Sequence, residues 1–577
     1  MFKKNDAHLQ SLLISNVNDL PEKHRLRLEQ SWAGTFYREF FCRINEEAFA
    51  VLYAEVASRP NIPVNVLVGL ETLKSGFGWS DEELYDHFLY DLQVRYALGY
   101  HQFGAGDFEL RSLYNFRRRL SQYNQEHGVN LLEQAVEAIT DQQIQTLAVR
   151  TGQQRMDSTQ VASNILAASR LQLLVEALQR LHRILNQADQ ERLVEVFAPY
   201  LKGRAGQYVY RVKGQPAYQA HLQAVGQAMH TLIQELQAKY ANQPVFQMLV
   251  RFFGENYHLN DQTVQPKDNE EIGSACLQSP DDLEATYRQK GGQGYKGYVA
   301  NLTETCDPDN PLQLITKVQV APNKTEDAAL LIAALPNLVA RTDLSDLYSD
   351  GAFGSPEADV VLQKERVTLV QSRLRGNPPD PERFNLADFD IRHDEAGYPL
   401  AMTCPFGQTV PVELAGKKGY RARFAPQTCQ ACPFHLNGRC RATPRKRTPQ
   451  LQLNFTLQQV NWAKRRRRHL QAKAEKDNRR AAVEASVRSL KHPFGRSKLP
   501  VRGCFRMACM LLAAASMVNV RRICKYQQEK LENEKSGLPE IENSHHAAQT
   551  DIFLSFFQKW LSAIWRSLSV PESCFSF

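Results

Sequence analysis

Apolar positions recur at helical spacing through the first 150 residues, and the pattern turns to that of strands before Asp157 and again after residue 293. In PVNVLVGLETLKSGFGWSDEELYDHF, Val66, Leu67, Leu70 and Leu73 fall on one helical face and Gly76 and Gly78 end it. Ser80, with Glu83 three residues on, forms a capping box that opens a second helix. Amphipathic spacing also runs through QSWAGTFYREFFCRI (30–44), and the Leu-, Ala-, Gln- and Glu-rich stretch 165–250 predicts several helices. Pro266, Pro280 and clustered Asp and Asn mark an irregular passage. GYKGYVANLTET (294–305) and LQLITKVQVAPN (312–323) then alternate apolar and polar residues, as a hairpin does, around the turn segment DPDNP (307–311). A helix over 326–339 leads into a short strand closing on Asp350, followed by a helix, SPEADVVLQKER, and a strand, VTLVQSRL.

In order, the chain reads as a strand closing on Asp157 (GQQRMDSTQVASN), a helical insertion over about 165–280, two strands, a helix, the Asp350 strand, a helix and a strand. This predicts an α/β fold: a mixed sheet flanked by helices, in the manner of ribonuclease H. Residues 1–150 form an α-helical N-terminal domain in this reading, and 151–400 the first part of the sheet domain. Residues 401–450 form a small Cys-rich, zinc-ribbon-like insertion, and 451–527 return to the sheet domain with closing helices. A polar linker and an amphipathic helix fill 528–577. A helix, a Gly-containing turn and a capped second helix within 64–90 are compatible with helix-turn-helix DNA binding.

Composition narrows the class. A hydrophobic content of 43% and a charged content of 23% in 577 residues describe a folded protein with a prior of roughly two to four domains. No stretch reaches the roughly 20 uninterrupted apolar residues of a membrane span. Residues 504–520, flanked by Arg502 and Arg521, read as a buried core helix, and 551–565, broken by Lys559, as an amphipathic one. The start, MFKKNDAHLQ, is too polar for a signal peptide, so a cytoplasmic protein is expected, with its eleven Cys as thiols or metal ligands rather than disulfides.

Charge is unevenly distributed. Residues 441–500 hold 17 Lys and Arg against three acids, while the whole chain carries only +8. The Lys464–Arg468 string is compatible with a solvated basic helix face. Arg479, Arg480, Arg488 and Lys491, at helical spacings around Glu484, fit a phosphate backbone docking there. Arg117, Arg118 and Arg119, with aromatic neighbours in RSLYNFRRRLSQY, add a second candidate DNA contact.

Asp157, Asp350 and Glu484, on two strands and a helix, are the candidate chemistry. Three hard carboxylates suit two Mg²⁺ (or Mn²⁺) ions, which activate a nucleophile and stabilise a leaving 3′ oxygen in phosphodiester cleavage. In that arrangement Asp157 bridges both ions, Asp350 holds one and Glu484 the other. Cys404, Cys429, Cys432 and Cys440, with one Cys-x-x-Cys pair, suit a structural Zn²⁺, and His435 is an alternative ligand. The ion would staple a segment too small to have its own core. The fifteen His form no HxH or HExxH pattern, and GGQGYKG (291–297) lacks phosphate-loop spacing, so no nucleotide cofactor is implied.

Over most of residues 60–525 the chain resembles bacterial insertion-sequence transposases of the DDE type, whose catalytic domain is ribonuclease-H-like. RMDSTQVASN resembles their first-Asp motif and YSDGAFGS the second. The third motif of related families reads Tyr, two residues, Arg, three residues, Glu, six residues, Lys. Arg480, Glu484 and Lys491 fit that spacing, and Asp477 at the Tyr position departs from it. VNVLVGLETLKSGFGWSDEELYDHF resembles the helical domain preceding the core, and LPVRGCFRMACMLLAAASMVNVRR the closing helix. Cys-bearing insertions precede the final Glu helix in related transposases. The resemblance implies binding of double-stranded DNA at terminal inverted repeats, metal-dependent cleavage, joining of 3′ ends to target DNA, and a homodimer on DNA. A catalytically inactive, transposase-derived DNA-binding protein and a ribonuclease-H-type nuclease are the competing readings.

Overall fold

The helix expected around Val66 forms as α1 (Val64–Phe77), with all but two of its residues buried. It ends at Gly78, whose φ of +77° is a left-handed conformation that glycine adopts without strain. Gly76 lies inside the helix rather than at its end, because it packs against another element: a Cβ there would fall 2.3 Å from Met517 Cγ. The capping box opens α2 (Asp81–Tyr90), with Ser80 Oγ accepting from the Glu83 amide at 3.1 Å and Glu83 Oε2 accepting from the Ser80 amide at 2.7 Å. Helices α3 (Leu110–His127) and α4 (Leu131–Thr146) follow. The computed structural model describes residues 1–536 apart from 11–14, 55–60, 167, 210–214, 261–262, 377–378, 395–396, 417–418, 445–449, 475–478 and 496–497. Asp477 and the amphipathic segment 551–565 lie outside the described residues.

Strand β1 (Gln153–Ala162) continues five residues past Asp157, so Asp157 stands within the strand and not at its close. The insertion follows, with α5 (Arg170–Ile184), α6 (Gln215–Tyr240) and α7 (Pro244–Asn256) around their own apolar cluster, which includes Leu174, Leu178, Met229, Leu232 and Phe252. It ends in a small hairpin, residues 257–266, that the sequence pattern did not predict.

The expected hairpin forms from β2 (Gln293–Thr305) and β3 (Ile315–Pro322). Then come α8 (Asp327–Arg341), β4 (Asp346–Ser349), α9 (Pro356–Lys364) and β5 (Thr368–Gln371). In space the strands run β3-β2-β1-β4-β5. β2 is antiparallel to β1 and β3, whereas β1, β4 and β5 are mutually parallel. A sixth strand, Thr286–Lys290, pairs with the start of β2.

Successive residues of β1 point to opposite faces. Met156 enters a cluster with Leu335, Leu338, Leu347 and Phe353 under α8 and α9. Val161, with Ala300, Leu302 and Val318, faces the other way, into the largest cluster of the molecule.

A second sheet, antiparallel throughout, is built from β6 (Asp390–His393), β7 (Pro399–Thr403), β8 (Thr409–Ala415), β9 (Gly419–Phe424) and β10 (Leu451–Thr456), with the short Thr443–Pro444 strand at its edge. The expectation that this segment lacks a core does not hold. Phe389, Met402, Phe424, Leu453, Phe455 and Val460 form a buried cluster, because the sheet begins before the first Cys and continues beyond the last.

Three helices complete the described chain: α10 (Leu457–Ala474), α11 (Val483–Lys491) and α12 (Cys504–Ser536). The polar stretch from Glu529, read as the start of a linker, is helical to Ser536, with Lys525 and Glu529 paired across one turn at 3.5 Å. By length and composition α12 is apolar enough to cross a membrane, but 78% of its apolar window is buried against the rest of the chain. Met507, Leu511 and Met517 of α12 join Leu67, Leu70 and Leu73 of α1, Leu302 of β2 and Val483 of α11 in one core. The front helices therefore share their interior with the sheet and the closing helix.

Candidate active site

Arg155, Asp157 and Thr159 alternate along β1 onto the face that meets residues 479–491. Arg155 Nη1 donates to the Arg479 carbonyl at 2.9 Å, Arg480 Nη2 to Asp157 Oδ1 at 3.2 Å, and Lys491 Nζ to Thr159 Oγ1 at 2.7 Å. Val483, Val487 and Leu490 turn inward and anchor α11, which leaves Glu484 on its outer side, 57% exposed.

Asp350 follows the last residue of β4. The parallel register pairs Gln153 with Asp346 and Arg155 with Tyr348. Carried two residues further, it brings Asp157 level with Asp350 on adjacent strands, which lie about 5 Å apart. The Asp350 carboxylate caps the following turn, accepting from the Ala352 amide at 2.8 Å. Gly351 is required there, since a Cβ would fall 2.6 Å from the Arg373 carbonyl oxygen.

Burial pushes the Asp157 carboxyl above its ordinary range; Arg480 opposes this and the nearby Asp350 charge adds to it. Arg480 Nη1 stands 3.8 Å from Glu484 Oε1, so one guanidinium lies between the first and third carboxylates. Hard oxygen donors of this kind fit Mg²⁺ or Mn²⁺ chemically. In this arrangement Arg480 supplies the counter-charge, and among the described residues no three His, Cys, Asp or Glu groups are close enough to hold an ion together.

The other candidate contacts divide. Arg479 donates to Gln153 Oε1 and its guanidinium lies 5.3 Å from the Tyr348 ring centroid. Arg488 is exposed on α11, and burial, with Lys290 nearby, lowers the Lys491 ammonium. Arg117 is committed within the front helices, to Glu71 at 2.6 Å and to both Asp81 oxygens at 2.7 and 2.9 Å. Arg119 lies over Tyr53, and Arg118 is exposed. The Lys464–Arg468 string is no freely solvated face: Arg465 is 10% exposed and 3.5 Å from Asp359, and Arg467 donates to the Ala387 carbonyl. His469 Nδ1 meets the Gln371 carbonyl at 2.8 Å, fixing α10 along β5.

Cys404, Cys429, Cys432, Cys440 and His435 line one cavity of about 20 Å³, with Phe389 and Phe424 among its apolar walls. That is room for roughly one water-sized particle. Cys404 and Gly407 close one tight turn at 2.8 Å and Cys429 and Cys432 another at 3.2 Å, which brings the thiols inward. Burial, reinforced by the Cys440, Cys404 and Cys432 thiols, pushes Cys429 up to about 11. These thiols share a cavity without forming a ligand set as they stand.

Sequence reasoning missed Glu304, Arg155, Ser486 and Arg522. The legible signal was a glutamate in register with the inward apolar positions Tyr298, Ala300 and Leu302 of the same strand. Glu304 is directly opposite Arg155 in the β1–β2 register, and its side chain is fully buried.

No curated protein and no solved structure matches the chain. Residues 403–524 match the family model described as transposase DDE domain. The matched segment carries Arg480, Glu484, Lys491 and the four clustered Cys, and it ends after Arg522. Over that segment the chain is similar to the DDE domains of transposases.

Proposed function

We propose that the protein is a DNA transposase that binds the terminal inverted repeats of an insertion sequence, cuts the DNA there and transfers the freed 3′ ends to target DNA. The observation that carries this reading is Asp157 level with Asp350 on adjacent parallel strands, with Arg480 between Asp157 and Glu484. The strand order β3-β2-β1-β4-β5, antiparallel then parallel, supports a ribonuclease-H-like core. Asp157, Asp350 and Glu484 would hold Mg²⁺ or Mn²⁺, which supplies polarisation of the scissile phosphate and a more acidic nucleophile. Arg480, in the turn before α11, is positioned to turn from the carboxylates toward a phosphate, and Arg488 offers a second charge on the exposed side of α11. Arg479 and Lys491 flank Glu484, and Arg118 is the exposed member of the α3 string. Double-stranded DNA is the substrate, a homodimer joins two ends, and Cys404, Cys429, Cys432 and Cys440 hold a structural Zn²⁺.

The test is cleavage of labelled fragments carrying the element's ends with Mg²⁺ or Mn²⁺, comparing wild type with Glu484→Ala. Nicks at the ends that vanish in the variant support the enzyme. Equal binding by both proteins without any cut would identify a transposase-derived DNA-binding protein instead.

A further inference from the structure

Four elements meet on one carboxylate that the proposed chemistry does not use. Glu304 Oε1 accepts from Arg155 Nε at 2.7 Å, and Glu304 Oε2 accepts from Ser486 Oγ at 2.6 Å and Arg522 Nη1 at 2.8 Å. Arg522 Nη2 also donates to Ser486 Oγ, and Arg522 Nη1 to the Gln313 carbonyl at 3.0 Å. Arg155 stands two residues before Asp157 on β1, and Ser486 two residues after Glu484 on α11. We propose that Glu304 is a positioning residue, which sets the helix of Glu484 against the strand of Asp157 and so fixes the spacing of the first and third carboxylates.

The physical argument has three parts. Glu484 is more than half exposed, and among the described residues only the Arg480 contact orients its carboxylate, so its location is that of its helix. Apolar packing of Val483, Val487 and Leu490 holds α11 down but tolerates sliding, because dispersion is not directional. Hydrogen bonds to a buried charge are directional and strong, and the Glu304 network ties α11, through Ser486 near Glu484, to Arg155 beside Asp157, while Lys491 ties the far end of the helix to Thr159. Burial works against the charge on Glu304, yet Arg522, Arg155 and the Ser486 hydroxyl outweigh it and hold the carboxyl below its ordinary range. Arg155 extends the link, since its other arm holds the Arg479 carbonyl next to Arg480.

This inference rests on the transposase reading, and the experiment separates their failures. The full-length chain would be compared with Glu304→Gln, Ser486→Ala and, as a control at a buried ion pair elsewhere, Glu137→Gln, which faces Lys317 at 2.7 Å. Three quantities would be measured: affinity for a terminal-repeat fragment, the single-turnover cleavage rate, and Mn²⁺ binding to the protein without DNA by electron paramagnetic resonance. Glu304→Gln should keep DNA affinity within about 2-fold and lower both the rate and Mn²⁺ affinity by about 10–100-fold, as loss of outer-shell support does. Ser486→Ala should move both in the same direction by less, and Glu137→Gln should leave both near wild type. Unchanged rate and Mn²⁺ affinity in Glu304→Gln overturn the inference alone, as does an equal loss in Glu137→Gln. If Glu304→Gln fails to fold, unchanged values in Ser486→Ala overturn it. A wild type that neither cuts nor binds Mn²⁺ removes the transposase reading and the inference with it.

Discussion

Arg480 donates to Asp157 at 3.2 Å while standing 3.8 Å from Glu484, so one guanidinium spans the two carboxylates that the sequence separates by more than 300 residues. The arrangement favours ionisation of Asp157 against its burial. Arg480→Ala should therefore raise the Asp157 carboxyl further and move the acid limb of the cleavage profile to higher pH. Arg480→Lys, which keeps the charge but loses the planar fork, should shift it less. Single-turnover rates measured across pH check this, and coincident profiles for all three proteins would refute it.

Asp157 makes a stability prediction of definite sign. Its carboxyl is raised above the ordinary 3.8, mainly by burial, so the folded chain holds that proton more tightly than the unfolded chain does. The corresponding stability is fully present below about 3.8 and is lost as pH rises through the raised value. Asp157→Asn, which cannot ionise, should thus be more stable than wild type at pH 7, with the advantage shrinking as pH falls. Urea midpoints at several pH values would test this, and a less stable variant at pH 7 would contradict it.

The cysteine cavity predicts one bound Zn²⁺ per chain, with Cys432→Ser reducing the content. Because the second sheet has its own apolar cluster around Phe389 and Phe424, chelation should lower its thermal midpoint without abolishing its strands. In the stripped protein the Cys429 thiol, pushed up to about 11, should alkylate slowly at pH 8. Metal analysis and mass-spectrometric mapping of alkylation check both statements.

Gly76→Ala should destabilise the protein by about 1–3 kcal/mol, the usual range for overpacking a filled core. The added Cβ would fall 2.3 Å from Met517 Cγ and 2.4 Å from its Cβ, on a helix with little room to move. Pairing it with Met517→Ala should recover part of the loss, and chemical denaturation of the single and double variants measures the coupling.

Elements with a strong local signal were legible in the sequence. The Ser80 capping box, the 293–322 hairpin and the helices around the Asp350 strand lie within a few residues of where periodicity put them. Asp157 and Asp350 were legible as candidates because each stood beside strand-like alternation and turn residues. What periodicity does not encode is which charges a tertiary contact will use. Arg117 lies in a run of arginines that looks like a DNA contact, yet Glu71 and Asp81 reach it only once α1, α2 and α3 pack. Lys464–Arg468 looked solvated for the same reason, and Glu304 looked like one polar residue in a strand. The second sheet was read as smaller than it is because its last strand returns after residue 450, outside the Cys spacing that drew attention to it.

The shared interior of α1, β2, α11 and α12 has a consequence for synthesis. Leu67, Leu70 and Leu73 leave the ribosome long before Met507, Leu511 and Met517, which cover them. The front helices wait uncovered through more than 400 residues of translation, a long exposure for such a surface. Glu484 reaches its final place only when that cover arrives. A ribosome that stops before α12 thus releases a sticky fragment in which Glu304 and Ser486 lack Arg522 and the helix of Glu484 lacks its cover.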